Sequence, residues 1–146
     1  MGTRELPHER WPGGWRPLHI SVPDLAAAKA YYDELMPILG LRAWFPTTEA
    51  GEFNYGPDGA RGSQVFFYQA LERGRHSRHG TGLQHLSFMV SRRDIVREAH
   101  DWAVTKNGEI VHQPREFPEY GEHYATYFID PHGFMLEVVC HDADEG

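Results

Sequence analysis

The sequence predicts an α+β protein in which two βαβββ modules form a curved mixed sheet around a cavity. Three observations lead to this prediction: a short segment recurs in the second half of the chain, a helical pattern follows each copy, and strand-like segments follow each helix. The 146 residues are a usual length for one domain. We expect an irregular N-terminal arm over 1–15 and one domain over 16–141, divided into module one (16–71), a linker (72–82) and module two (83–141).

The recurring segment predicts the first strand of each module. Residues 18–22, Leu-His-Ile-Ser-Val, are similar to residues 84–88, Gln-His-Leu-Ser-Phe, and both contain His-x-Ser. Apolar and polar side chains alternate in each copy, which is typical of a strand with one face packed against the core. The alternation places His19 and His85 on the face opposite the apolar side chains.

A helix follows each of these strands. Asp24 is a suitable N-cap for a helix over 25–39, and Gly40 is a suitable end. The residues from Ser91 to Asp94 match a capping box, with Asp in place of the usual Glu, for a second helix that ends at about Lys106.

Further strands complete each module. A hairpin turn is expected at Asp130-Pro131-His132-Gly133, whose residue types favour tight turns. The predicted strands are 41–46, 52–55 and 63–71 in module one, and 109–112, 123–129 and 134–141 in module two.

The composition excludes several classes of partner and location. Fourteen Lys and Arg stand against 21 Asp and Glu, for a net charge of −7 at pH 7, which argues against a nucleic-acid or anionic-membrane surface. No apolar run approaches the roughly 20 residues that span a bilayer, and the charged start of the chain does not fit a signal peptide. The single cysteine, Cys140, excludes an intrachain disulfide. We expect a cytoplasmic protein whose partner is a small molecule.

Glu137 is the first candidate functional residue. It interrupts an apolar run over 134–140, where an ionised carboxylate is costly unless it is paired, hydrogen-bonded or bound to a metal. His19 and His85 are the best candidates to share a cation with it. Two histidines and one carboxylate suit Fe²⁺ and oxygen chemistry, and also hold Mn²⁺, Co²⁺, Ni²⁺ or Zn²⁺. In the alternative hypothesis no metal binds, and these side chains bond to one another.

The repeat predicts which ligands module one supplies. When the last strands are aligned on their leading glycines, Gly62 and Gly133, Phe66 falls opposite Glu137. Module one then contributes a histidine and no carboxylate, which leaves three ligands and open positions on the metal.

The sequence resembles the vicinal oxygen chelate superfamily, which includes glyoxalase I, bleomycin and fosfomycin resistance proteins, and extradiol dioxygenases. The resemblance covers about Arg16 to His141 and rests on residues 18–25, 38–41 and 127–137 together with His85. It implies the two-module fold and one divalent metal ion, with Fe²⁺ or Mn²⁺ favoured. It also implies a homodimer, and the metal ligands that it implies are His19, His85 and Glu137.

The resemblance also limits which activities of the superfamily are expected for this chain. Glyoxalase I usually has a further acidic ligand near the position of Phe66, so a typical glyoxalase I is not expected. In extradiol dioxygenases a tyrosine lies ten residues before the carboxylate ligand, and Tyr127 matches it. The catalytic histidine of that group falls on Pro118, so His123 is the candidate substitute. We expect Tyr127 and His123 to transfer protons, and a substrate pocket lined by Trp44, Phe53, Phe66, Tyr68 and Tyr120.

Two hypotheses about function remain after the sequence analysis. The first is a metal-dependent enzyme that chelates two oxygens of a partly apolar or aromatic substrate. The second is a metal-free binding or resistance protein with the same cavity. The polar linker contains His76 and His79 within a basic run over 73–79. This run fits a second metal site or an anion patch, but we expect a solvated loop. Arg61 and Arg115 are candidates to meet an acidic substrate, although isolated surface arginines are common.

Overall fold

The computed structural model describes residues 17–45, 47, 51–58 and 63–143. The predicted N-terminal arm, Arg61 and Gly62 lie outside these residues. Module one contains β1 (Leu18–Val22), α1 (Leu25–Ile38), β2 (Leu41–Arg42), β3 (Phe53–Pro57) and β4 (Val65–Gln69). Module two contains β5 (Leu86–Met89), α2 (Arg93–Thr105), β6 (Glu109–Glu116), β7 (Tyr124–Ile129) and β8 (Met135–Cys140).

Each module forms its own four-stranded mixed sheet within the described residues. The strand order is β1-β4-β3-β2 in module one and β5-β8-β7-β6 in module two. The pairs β1–β4 and β5–β8 are parallel, and the other pairs are antiparallel. The α+β class and the two βαβββ modules predicted from the sequence are therefore confirmed. Neither α1 nor α2 is long and apolar enough to cross a membrane.

Most strands differ in length from their predictions, and β4 has five residues where nine were predicted. The differences at β2 and β6 have visible causes. β2 ends at Arg42. Beyond it the backbone N–H groups of Trp44 and Phe45 donate to a side chain instead of a neighbouring strand: Asn54 Oδ1 accepts from Trp44 N at 3.2 Å and from Phe45 N at 3.0 Å. β6 continues to Glu116, past two register shifts against β7. Such bulges bend a strand and change where its side chains point.

The two helices begin in different ways. Asp24 caps α1, since its Oδ1 accepts from Ala27 N at 3.0 Å, and Gly40 follows the helix with φ +79°. The capping box predicted for α2 is wrong. The helix begins one residue later than predicted, so Arg92 and not Ser91 occupies the N-cap position. The Arg92 side chain makes no capping hydrogen bond. The Asp94 carboxylate instead accepts from Arg92 Nε at 2.9 Å.

The helices and the apolar sheet faces share one core, and polar contacts join the modules across it. Tyr32 Oη of module one donates to Asp130 Oδ2 of module two at 2.5 Å, and Asp130 is 1% exposed. Asp130 Oδ1 also accepts from the backbone N–H groups of His132 and Phe134, at 2.9 Å each. One buried carboxylate therefore shapes the β7–β8 turn and ties it to α1.

The linker is exposed over most of its length, as expected for a solvated loop, but His76 packs against that turn. The His76 ring stacks on Phe134 with ring centroids 4.4 Å apart, and His76 N donates to His132 O at 2.9 Å. A side chain at Gly133 would meet the His76 carbonyl oxygen at 1.9 Å, and Gly133 has φ +97°. Glycine is required there because the linker crosses directly over it.

Candidate functional site

Glu137 lies in the middle of β8 on the sheet face that points away from the helices. Its strand neighbours Leu136 and Val138 belong to the core, as the alternation predicts. In the sheet it pairs with Ser87 of β5 on one side and Tyr127 of β7 on the other. The Glu137 residue is only 3% exposed, so its charge has to be compensated by nearby groups.

Three side chains converge on this carboxylate. Tyr127 Oη donates to Glu137 Oε1 at 2.7 Å, and His123 Nε2 lies 2.7 Å from the same oxygen. His85 Nε2 lies 3.0 Å from Oε2. β7 and β8 pair without a bulge, which places Tyr127 directly opposite Glu137 and on the same face.

These contacts set the charge states of the group. Burial by itself raises the pKa of the Glu137 carboxyl, but hydrogen bonds from Tyr127, Ser87 and His123 and the charge of His85 hold it below its usual range. Burial, the hydrogen bond to Glu137 and its negative charge raise the pKa of the Tyr127 phenol, against a smaller opposite effect of Arg115. At neutral pH Glu137 is ionised and Tyr127 keeps its proton.

A cavity of about 480 Å³ opens beside these residues. His85 and Tyr127 form part of its wall, so the group around Glu137 borders the cavity. Phe117 and Tyr120 contribute aromatic surface, and Arg78 and Arg115 contribute positive charge. The site therefore combines a buried carboxylate, titratable rings and a space large enough for a small molecule.

His19 lies apart from this group. It is exposed on β1, where its Nδ1 is 2.7 Å from Tyr68 Oη and its ring stacks on Phe66 with centroids 5.0 Å apart. Among the described residues no group of three His, Cys, Asp or Glu side chains is placed to hold a metal ion. His85 and Glu137 are thus adjacent, while the described part of one chain does not add His19 to them.

The strand registers correct the alignment of the two modules. Ser21 and Ser87 occupy the same place in the repeat; Ser21 pairs with Tyr68, and Ser87 pairs with Glu137. Tyr68, and not Phe66, is therefore the module-one equivalent of Glu137. Anchoring the sequence alignment on Gly62 and Gly133 therefore gave an error of two residues. It left the predicted face unchanged, because side chains alternate with period two.

The predicted pocket lining is also corrected by the structure. Tyr120 borders the cavity beside Glu137, whereas Phe66 and Tyr68 lie beside His19. Trp44 is held at β3, where its Nε1 donates to Pro57 O at 2.7 Å. Phe53 is 3% exposed and stacks on Phe67 in the core, away from the residues that line the cavity beside Glu137.

Some lining residues were not identified from the sequence. Arg78 and His79 reach the cavity from the linker, whose course depends on the contacts of His76 with the β7–β8 turn. His112 reaches it from β6 at a register shift. Alternation along 109–116 was a weak signal for His112, and the run of Arg and His over 73–79 was a weak signal for Arg78 and His79.

Comparison with known proteins shows the same architecture elsewhere. A sequence model described as Glyoxalase/Bleomycin resistance protein/Dioxygenase superfamily matches residues 16–138. A glyoxalase/bleomycin resistance protein from Albidiferax ferrireducens T118 superposes with a TM-score of 0.69 at 18% identity, covering 86% of this chain and 98% of that one.

Two further solved structures are similar. A glyoxalase/dioxygenase from Nostoc punctiforme gives a TM-score of 0.68 at 22% identity, over 98% of this chain and 99% of the other. The genomically encoded fosfomycin resistance protein FosX from Listeria monocytogenes gives 0.64 at 16% identity, over 92% and 98%. No curated protein matches the chain significantly. At these identities the structural matches show the fold alone.

Proposed function

Because the chain belongs to the glyoxalase/bleomycin resistance protein/dioxygenase superfamily, we propose that it is a divalent-metal-dependent enzyme acting on a small, partly apolar or aromatic molecule. Its metal ligands are His85 and Glu137 of one chain and His19 of a second chain. The observation that carries this proposal is the convergence of titratable side chains on Glu137, a carboxylate 3% exposed beside a cavity. Fe²⁺ and Mn²⁺ are the favoured metals, as in an extradiol-dioxygenase-like ligand set.

The orientation of both histidines supports a ligand role. A metal-binding histidine usually has its second ring nitrogen held by a hydrogen-bond partner, which fixes the ring. His19 Nδ1 contacts Tyr68 Oη, and His85 Nδ1 contacts the side-chain oxygen of Gln84. In each case Nε2 is the nitrogen left for a metal, and His85 Nε2 already points at Glu137.

The exposure of the two sheet faces supports the role of a second chain. His19 is exposed on its face of module one, and Met89 is 73% exposed on β5 of module two. A partner that lays its module one against module two of the first chain covers both faces. It also brings its His19 towards His85 and Glu137. We therefore propose a homodimer with shared sites.

The chain's own residues then have separate tasks. The metal, when bound, supplies a Lewis acid that stabilises negative charge developing on a substrate oxygen. Tyr127 holds Glu137 in place through its hydroxyl, which keeps its proton at neutral pH. His123 and Tyr127 are the proton-transfer candidates, since both reach the same oxygen of Glu137 beside the cavity.

Metal analysis of purified variants tests this proposal. We expect about one metal ion per chain in wild type and in the control His100→Ala, which alters a histidine on α2. We expect none in His85→Ala or His19→Ala. Absence of metal from wild type, with none taken up from added Fe²⁺, Mn²⁺ or Zn²⁺, contradicts the proposal.

A mixed dimer locates the third ligand. When His19→Ala and His85→Ala chains are mixed, one shared site loses both histidines and the other keeps both. A shared site therefore regains about one metal ion per mixed dimer. A site built within one chain regains none, because every chain then lacks one ligand.

One observation favours a second candidate function, a metal-free binding protein. Three side chains already compensate the Glu137 carboxylate, so no cation is needed to keep it buried. A protein of this kind has a melting temperature that EDTA leaves unchanged, whereas removal of a metal bound only by the native state lowers it.

A further inference from the structure

Two arginines line the cavity beside Glu137, in a chain whose net charge is −7 at pH 7. Arg115 comes from β6, and Arg78 comes from the linker. The cavity also contains one carboxylate on its rim, Glu119. Positive charge at a cavity in an acidic protein attracts anions more than the net charge suggests.

Three other arginines in the described part of the chain pair with carboxylates. Arg42 pairs with Asp58, Arg92 with Asp94, and Arg93 with Glu116 and Glu122. The exposed Arg75 instead donates to Pro131 O at 2.8 Å. Contacts with groups other than carboxylates are therefore informative only when the arginine also lines a cavity, as Arg78 and Arg115 do.

The contacts of Arg115 and Arg78 in the described part of the chain are with groups other than carboxylates. The Arg115 guanidinium lies 3.8 Å from the centroid of the Phe117 ring, and its Nη1 donates to Glu116 O at 3.2 Å. Arg78 Nη1 lies 3.0 Å from Met135 Sδ, and its Nε lies 3.4 Å from His79 Nε2. A guanidinium has five N–H donors, so each group keeps donors for a ligand.

The rest of the cavity fits an apolar body. Phe117 and Val111 supply apolar surface, and Tyr127 leads towards Glu137. The contact of Arg115 with the Phe117 ring restrains the guanidinium beside the cavity, and a guanidinium suits the paired oxygens of a carboxylate or phosphonate. Arg115 and Tyr127 line the same cavity, and the Tyr127 hydroxyl contacts Glu137, so an anion at Arg115 shares the cavity with the reacting end of the site.

We propose that the substrate is an aromatic or apolar anion whose carboxylate or phosphonate group is bound by Arg115 and Arg78. This inference rests on the proposed function, because it names the substrate class of the same cavity. The anionic end lies at the two arginines and the apolar body along Phe117. The opposite end of the molecule reaches Glu137 and His85.

Calorimetric titration with three probes tests the proposal: phenylphosphonate, benzoate and neutral benzamide, each with EDTA present. We expect both anions to bind wild type at least tenfold more tightly than benzamide. Tighter binding of phenylphosphonate than of benzoate indicates a substrate with a tetrahedral anionic group. Tighter binding of benzoate indicates a planar one. Equal binding of benzamide and the anions overturns the proposal.

Variants assign the effect to the two arginines. Loss of charge-assisted hydrogen bonds in Arg115→Gln or Arg78→Gln should weaken anion binding about 10- to 100-fold. Arg115→Lys keeps the charge and should recover part of that loss. The control Arg73→Gln alters an exposed arginine of the same linker and should bind as wild type. Equal losses in Arg73→Gln and Arg115→Gln overturn the proposal.

The metal content of the same proteins, measured on separate samples purified without EDTA, separates the two proposals. If the protein binds anions through its arginines but takes up no metal, this inference is supported and the proposal of a metal-dependent enzyme is contradicted. A full metal site with no preference for anions over benzamide overturns this inference and leaves the metal proposal standing. Retained metal in Arg115→Gln shows that the variant has kept its folded site.

Discussion

Modules one and two have the same strand order, but they differ at one central position. In module one His19 contacts Tyr68, and in module two His85 contacts Glu137 at the equivalent place. The contact between His19 and Tyr68 is exposed, and the group that His19 contacts is a neutral phenol. The group that His85 contacts is the carboxylate of Glu137, a residue that is 3% exposed. The difference shows that one framework can hold either an ordinary surface pair or a buried charge.

A phenol in module one occupies the position that the acid occupies in module two. Glu137 on β8 pairs with Ser87 of β5 and Tyr127 of β7, and both donate hydrogen bonds to it. Tyr68 on β4 has a carboxylate nearby, Glu52, which lies just before β3. Partial burial and then the Glu52 carboxylate raise the pKa of Tyr68.

The largest expected effect on stability concerns Asp130, the buried carboxylate that connects the two modules. Asp130→Ala removes the acceptor of Tyr32 Oη and of two backbone N–H groups in the buried β7–β8 turn. Each unsatisfied buried donor costs about 1–3 kcal/mol, so we expect the free energy of unfolding to fall by about 3–5 kcal/mol. Urea denaturation measures it, with the exposed Asp101→Ala as control. A loss below about 1 kcal/mol means that the modules are joined chiefly by apolar packing.

Substitutions at the two equivalent positions, Glu137 and Tyr68, are expected to have smaller effects on the free energy of unfolding. Glu137→Gln places an amide N–H₂ among donors from His85, His123 and Tyr127, and we expect a loss of about 1–3 kcal/mol. Tyr68→Phe removes only a hydrogen bond to an exposed histidine and should cost less than about 1 kcal/mol. Both are measured by denaturation in EDTA. Equal losses mean that the two positions are energetically alike despite their different burial.

The same two variants predict different pH dependence. The pKa of Glu137 in the folded protein lies below its ordinary value of 4.5, so its ionised form stabilises the native state. That stabilisation is complete well above pH 4.5 and is lost as the pH falls through the folded pKa. In EDTA the difference between wild type and Glu137→Gln should shrink on acidification. The difference for Tyr68→Phe should stay constant across the same range.

The smallest effect concerns the two helix starts. Asp24→Ala removes the α1 cap and should cost about 1 kcal/mol. Arg92→Ser supplies α2 with a capping hydroxyl that it lacks, and should raise stability by about 0.5 kcal/mol after loss of the exposed Arg92–Asp94 pair. Thermal denaturation resolves both changes. A loss in Arg92→Ser means that the ion pair outweighs a cap.

Sequence patterning by itself determined the secondary structure and the buried acid. Alternation in the repeated segment predicted β1 and β5, and Asp24 and Gly40 predicted the limits of α1. The charge of Glu137 within an apolar strand identified the residue around which the site is built. These features depend on neighbours along the chain, where the periods of strand and helix leave a direct trace.

Only the tertiary structure decided the partners of that acid. Strand register showed Tyr68 to be its equivalent in module one and placed Tyr127 opposite it. The linker's packing on the β7–β8 turn brought Arg78 to the cavity, and the separation of the sheets kept His19 away from His85. Such contacts join residues distant in sequence. Register, bulges and loop course set them, and none of these leaves a periodic trace in the chain.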